Sequence, residues 1–420
     1  MIEDIQSKTN KIILLIVMCV ALMFSLASFS MWPIFLVKFR VLWELNNTQI
    51  GWITGSYFFG YLLLTPVYVG LTDKVDAKWI FIFASLSIIG GCLGLLYFAN
   101  GFWPTCFFWG IVGSGHAGTY MPGLQILNSR LDKIDRVKFT PWYTSSMGIG
   151  TGLSFALIGY VFSNFDWFEA CLIGMVTSGL SATLVLLFIS PSKPTSSNQE
   201  TNRHFLDLRP AFRNKSALSY IISYGTHTFE LMAYRAWIFA FLVWSISFSG
   251  ENISFDRITF IIASIMILGM ISSLTGAKIC LEYGRRKVLM IIGITTFSYS
   301  ILIALSIPMS FWYLVLIIAI YNILIMLDSG ALTAGTVDAS KDDERGAILA
   351  VHSLFGFGSG ALAGPIIGFI LDLNGGAETN FAWSLAFFAM GLGSLFVFLI
   401  QIYAYYYFNI QMKNQKLTKS

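Results

Sequence analysis

The sequence runs to 420 residues, of which 56% are apolar and 11% charged, with a mean hydropathy of +0.71. Soluble domains carry roughly 25% charged residues, so a water-soluble globular fold is excluded. The net charge of +4 does not point to nucleic acid either, because the basic residues sit in short connectors between apolar runs instead of along one face.

A bilayer core of about 30 Å takes roughly 20 helical residues, and windows of that size fall at 12–37, 49–72, 79–98, 102–127, 140–163 and 167–190. The first run is longer than a signal-peptide core and shows no convincing cleavage site, so it is expected to stay as a membrane helix. A polar stretch rich in Ser, Asn, Pro and charge follows at 191–215 and reads as a linker, with a short surface helix expected around Phe205 to Phe212. Six more windows come after it, at 216–246, 255–280, 287–307, 311–337, 346–371 and 382–408. The expected organisation is a six-helix bundle over 1–190, the linker, a second bundle over 216–410 and a tail over 411–420.

Positive charge near helix ends marks the cytoplasmic side. With the N-terminus inside, cytoplasmic segments hold 22 of the 26 basic residues, Lys38, Arg40 and Arg257 lie opposite, and Arg235 falls inside a span. Both termini are then cytoplasmic. An offset of about 208 residues lays Gly148, Gly150 and Gly152 on Gly356, Gly358 and Gly360, and Lys78 on Arg286; an offset of 209 lays Asp135-Arg136 on Glu344-Arg345. Two pseudo-symmetric halves are the expected consequence. The glycine runs imply close helix contacts that let those halves rock.

The whole chain resembles the major facilitator superfamily: two six-helix halves, a central loop and a basic turn after the second helix of each half. That family's turn reads roughly G-x-L-x-D-R-x-G-R-R, and residues 69 to 78 read VGLTDKVDAK, in which Leu71, Asp73, Lys74 and Lys78 fit while Asp76 and Ala77 depart. In the second half AKICLEYGRRK keeps Gly284, Arg285 and Arg286 but has Leu281 in place of the aspartate. The resemblance implies an all-α membrane protein of twelve transmembrane helices, and gating by Asp73, Lys74, Lys78, Arg285 and Arg286; on composition alone Asp73 is a turn former among solvated neighbours. Trp109 stands where drug and proton antiporters of the family carry an arginine, and GIGTGLSFALIG lacks their G-P dipeptide, which disfavours multidrug export. Nitrate porters carry an arginine within helices 2 and 8, absent here. The run HAGTYMPG at 116–123, with LTDKVDAK, resembles a bacterial permease subgroup and implies uptake. A few carriers of the superfamily import carboxylate siderophores, and this chain is compatible with one.

Ionisable side chains at bilayer depth are functional candidates by default. Helix 7 holds the densest set, His227, Glu230 and Arg235 with Tyr224, Tyr234 and Trp237. At about 100° per residue, His227, Glu230 and Tyr234 share a face, and Arg235 points roughly 80° away from His227. Arg235 presents a fork suited to a carboxylate or phosphate; as a structural residue it would pair with Glu230 or Asp328. Glu230 sits where a carboxyl can take up and release a proton, or else is permanently ionised against Arg235 or His227. Asp328 in IMLDSGALTAG shares either role or caps a local break before Gly330. His116 and His352 read as substrate contacts or as satisfied packing residues. Trp32, Tyr120 and Trp237 offer flat walls for a cavity or ordinary packing.

The five cysteines lie in apolar segments without CxxC spacing, and four scattered histidines do not suggest a metal. There is no phosphate-binding loop and no hydrolytic Ser, His, Asp constellation in polar sequence, so neither cofactor nor catalysis is expected. A filter-like loop that would suggest a channel is missing as well. The expected protein is a monomeric inner-membrane symporter, a permease for a small polar or anionic solute such as an organic acid, amino acid or carboxylate siderophore, with Arg235, His116, Tyr120, Trp32 and Trp237 contacting substrate and Glu230 and Asp328 coupling protons. Export of an amphipathic compound or siderophore is the alternative.

Overall fold

The computed structural model describes residues 2–192, 208–341 and 344–417. In chain order the helices are α1 (Ile2–Ser25), a 3-10 turn (Leu26–Ser28), α2 (Met31–Leu42), α3 (Asn47–Leu71), α4 (Ala77–Phe98), α5 (Phe102–Arg130), α6 (Lys133–Asn164) and α7 (Trp167–Phe188). They continue as α8 (Arg209–Arg213), α9 (Lys215–Ser249), α10 (Phe255–Tyr283), α11 (Arg285–Leu305), α12 (Phe311–Met326), α13 (Ser329–Asp338), α14 (Arg345–Leu373) and α15 (Asn380–Leu417). Among the described residues there is no strand. Taking α1 with α2 and α12 with α13, eleven segments among the described residues are long and apolar enough to cross a membrane. The expected span outside that count is the fourth, α5, whose 29 residues include a Gly, Ser, His and Thr run that dilutes its apolar character.

Two expected continuous helices are broken. In the first, Phe29 N bonds Leu26 O three residues back at 2.9 Å, and the helix restarts at Met31. Pro33 lacks an N–H for the carbonyl four residues earlier and its ring crowds that carbonyl, which is Phe29's. The second break separates α12 from α13 at Leu327 and Asp328. Past α7, residues 193–207, including part of the helix expected at Phe205 to Phe212, lie outside the described residues; α8 follows at Arg209–Arg213. Asn214 then caps α9 by accepting from Ala217 N at 3.0 Å. The final helix runs on to Leu417, into the stretch expected as a tail.

The chain divides into two compact units, residues 1–200 with 252–267, and residues 201–251 with 268–420, so α10 belongs to both. The first unit has a core of Met18, Leu22, Phe81, Ile126, Tyr143 and Val185. Its helices close up through glycine: a Cβ on Gly60 would lie 2.0 Å from Gly110 O, and one on Gly113 would lie 2.0 Å from Tyr57 O, so α3 and α5 touch backbone to backbone. The second unit is knotted by aromatic edges, with Phe241 against Trp383 at 5.1 Å and against Phe387 at 4.8 Å.

Candidate functional site

In the second unit, α9 turns His227, Glu230 and Tyr234 towards α12, as their shared face requires. The His227 Nδ1 lies 2.7 Å from Asp328 Oδ1, both side chains being almost wholly buried. Asp328 stands at the start of α13, yet its side chain makes no capping bond; it faces His227 instead. Of the sequence readings for Asp328, the cap before Gly330 is not seen, and the side chain lies against His227. Nε2 of His227 is buried with no hydrogen-bond partner, as are the Thr228 and Tyr234 hydroxyls.

Glu230 makes a different set of contacts. Tyr321 Oη of α12 donates to its Oε1 at 2.6 Å, and Ser394 Oγ of α15 donates to its Oε2. The carboxylate is thus held by two hydroxyls, not by the Arg235 or His227 expected as pairing partners. Arg235, one turn further along α9, is half-buried. Beside the His227–Asp328 pair, His352 stacks on Tyr224 with ring centroids 3.8 Å apart and bonds Thr336 Oγ1 through Nδ1 at 3.2 Å. Five helices, α9 and α12 to α15, thereby bring ionisable and hydroxyl groups to one buried locus.

His116 of α5, in the first unit, is 1% exposed. Its Nε2 lies 2.8 Å from Ser25 O and its Nδ1 2.9 Å from Tyr57 Oη. A carbonyl only accepts, so Nε2 carries the proton and Nδ1 accepts from the tyrosine hydroxyl. An unbroken helix would give Ser25 O to Phe29 N; the break releases it, and the imidazole takes it. The sequence placed His116 with the substrate contacts; here it braces the break in helix 1.

Of the flat walls, Trp32 and Trp237 are buried and Tyr120 is partly exposed. Trp32 donates to Ile50 O at 3.3 Å, Trp237 donates to Gly364 O at 3.1 Å, and Tyr120 stacks at 6.1 Å on Tyr143. Among the described residues no group of three His, Cys, Asp or Glu is placed to hold a metal ion.

Of the residues expected to gate, Asp73 and Lys74 are exposed. The departure from the motif, Asp76, makes the contacts: it caps α4, receives Arg130 at 3.1 Å and accepts Ser192 N at 2.7 Å. Arg130 also donates to Ser190 O at 2.7 Å. Lys78 donates to Leu186 O at 2.9 Å. In the second unit Arg285 pairs with Asp338 at 2.7 Å, and Arg286 donates to Gln401 Oε1 at 2.9 Å and to Ser219 and Ser216 at 3.0 Å, with Tyr220 beneath it at 4.4 Å. Outside the spans, Asp132 caps α6 and meets Lys11 at 2.8 Å; the Lys11 bond, with the Asp135 N–H, lowers its carboxyl to about 2.

Tyr57, Tyr321, Ser394 and Arg130 were not singled out from the sequence. Hydroxyls in apolar helices carry no pattern of their own, and only packing against His116 or Glu230 gives them a role. Arg130 was counted for topology, whereas its partner Asp76 stood out as a break in the motif.

The sequence matches the family model described as Major Facilitator Superfamily over residues 13–255. No curated protein matches it. Among solved structures, the nucleoside transporter NupG is 16% identical with a TM-score of 0.74, the alignment covering 94% of this chain and 99% of that one. A bacterial homolog to the human lysosomal transporter Spinster, inward-facing and occupied, is 15% identical with a TM-score of 0.71, covering 93% and 96%. At such identities the likeness is one of fold.

Proposed function

The chain belongs to the Major Facilitator Superfamily, and from that premise we propose that it is a secondary active carrier that takes up a small polar or anionic solute across a cell inner membrane with a proton. The proposal includes alternating access and both termini on the cytoplasmic side. One observation carries it: α9 places a half-buried Arg235 on the same helix as the buried His227–Asp328 pair. A guanidinium stays charged and suits a carboxylate or phosphate. A histidine and a carboxylate in contact form a unit able to gain and lose a proton. Substrate charge and proton site then share one helix, so movement of one is felt by the other. Glu230 enters as a second protonatable group on the same face, engaged by Tyr321 and Ser394.

The test is uptake into proteoliposomes of labelled organic acids, amino acids and ferric carboxylate siderophores, with and without an inward proton gradient. One anion is expected to accumulate only with the gradient. Arg235→Gln should abolish its binding, and Asp328→Asn should remove gradient-driven accumulation while exchange persists. Uptake untouched by both substitutions would refute the site, and expulsion of dyes without uptake would reverse the direction.

A further inference from the structure

Three helices of the second unit leave a long groove of about 660 Å³ between them. Along α14 its wall is the stripe Leu354, Gly358, Leu362, Ile366 and Ile370, one residue per turn at intervals of four. At 1.5 Å per residue that stripe is about 24 Å long, most of the roughly 30 Å of hydrocarbon in a bilayer. Gly225 and Phe229 of α9 and Gly393 and Phe396 of α15 form the floor and the far wall. The rim is open, with Leu362 48% and Phe396 49% exposed.

The lining has two hydroxyls, and both are spent within their own helices: Thr226 on Ser223 O at 3.0 Å and Ser359 on Gly356 O at 2.9 Å. A guest therefore meets hydrocarbon and no free polar group. The sequence places Gly358 among the glycines of close helix contact, but no atom lies within 4 Å of where its Cβ would stand. It is a notch in the stripe, opening on the groove. Gly393 is the opposite case, since a Cβ there would lie 2.5 Å from Thr226 O and 2.8 Å from Glu230 Cβ. The floor is thus the tight seam between α9 and α15 that holds Glu230.

We propose that this groove is a binding site for one acyl chain of a bilayer phospholipid, lying lengthwise along α14 and seated in the notch at Gly358. The length matches an extended chain, and the volume has room for roughly twenty methylene-sized groups at about the 30 Å³ one water occupies in the liquid. These helices cross the membrane, so hydrocarbon is the solvent at the rim. The site is independent of the transported solute.

The experiment uses the full chain in nanodiscs of a phosphatidylglycerol and phosphatidylethanolamine mixture containing a phospholipid with a mid-chain diazirine. After irradiation, the labelled peptides are mapped by mass spectrometry. Peptides covering 354–370 and 389–396 should carry at least fivefold more label than those around Phe83 and Ile291, which are 61% and 64% exposed. Gly358→Leu and Gly358→Phe put a side chain into the open notch and should remove that excess while labelling elsewhere stays unchanged. Even labelling of all exposed helices, or an excess that survives both folded variants, would overturn the assignment. Displacement of the label by a soluble dodecyl-chain carboxylate or amine, with no loss to added phospholipid, would do so too, by assigning the groove to an amphipathic solute. If neither variant folds, the wild-type distribution of label decides by itself.

Discussion

His116 has both ring nitrogens engaged, one by a carbonyl that a helix break set free and the other by a tyrosine hydroxyl. His116→Ala would strand Ser25 O and take the imidazole acceptor from Tyr57. Leaving a buried group unsatisfied costs about 1–3 kcal/mol, so a loss of roughly 2 kcal/mol is expected, seen as a lower melting temperature in detergent with the transport KM unchanged. Asp76 and Asp73 make a second contrast. Asp76→Asn should destabilise by a similar roughly 2 kcal/mol, the scale of a charged hydrogen bond, seen as a lower melting temperature; Asp76→Arg with Arg130→Asp should not recover it, because an arginine cannot accept the Lys78 and Ser192 N–H bonds, and Asp73→Asn should change nothing. Asp132 titrates below its ordinary 3.8, at about 2, so its bond to Lys11 stabilises the fold above the unfolded value and is lost as the pH falls through about 2. In Lys11→Gln, hydrogen exchange at the Ile134 and Asp135 amides, which Asp132 caps, should accelerate at a higher pH, nearer 3.8. The ionisable residues of α9 were readable in the sequence because charge is rare in a span. Their partners were not, since a serine or tyrosine becomes a ligand only when another helix brings a carboxylate to it.

Helix positions followed closely from apolar length: windows at 49–72 and 255–280 became Asn47–Leu71 and Phe255–Tyr283. A break before Gly330 was among the sequence readings and falls at Leu327 and Asp328; the break in the first helix was not, because hydropathy is blind to a backbone bond shifting from the fourth residue to the third. The glycines show the same division between composition and contact. The sequence pointed to the runs near 150 and 358 as close contacts, while the tightest backbone approaches join Gly276 to Leu327 O, where a Cβ would lie at 1.9 Å, and Gly60 to Gly110 O and Gly113 to Tyr57 O, each at 2.0 Å. Gly60→Ala and Gly113→Ala should each destabilise by about 1–3 kcal/mol, the usual scale of overpacking. Gly90→Ala, with nothing within 4 Å, should leave stability unchanged or raise it by up to about 1 kcal/mol. Thermal unfolding of the three variants followed by tryptophan fluorescence separates them.

The internal repeat extends to the wiring of each half. At the offset of 208, Lys78 and Arg286 correspond, and each reaches the last helix of its own unit, through Leu186 O and through Gln401 Oε1. At the same offset Arg130 corresponds to Asp338, and at 209 Asp76 corresponds to Arg285, so the two ion pairs occupy equivalent places with their charges reversed. The offset was legible in the sequence and the reversal was not, because Asp76 and Arg130 become partners only when the fold brings the turn after α3 to the end of α5. A gene whose two halves descend from one ancestor is exposed to recombination with itself. Here an exchange of the short stretch around Asp76 for that around Arg285 would set Arg285 against Arg130 and Asp76 against Asp338, like against like. Such a chimera should emerge from size-exclusion chromatography as aggregate, and regain a monodisperse peak only when Arg130 and Asp338 are exchanged as well. In such a chimera the inverted pair would act as a lock against homogenisation of the two halves.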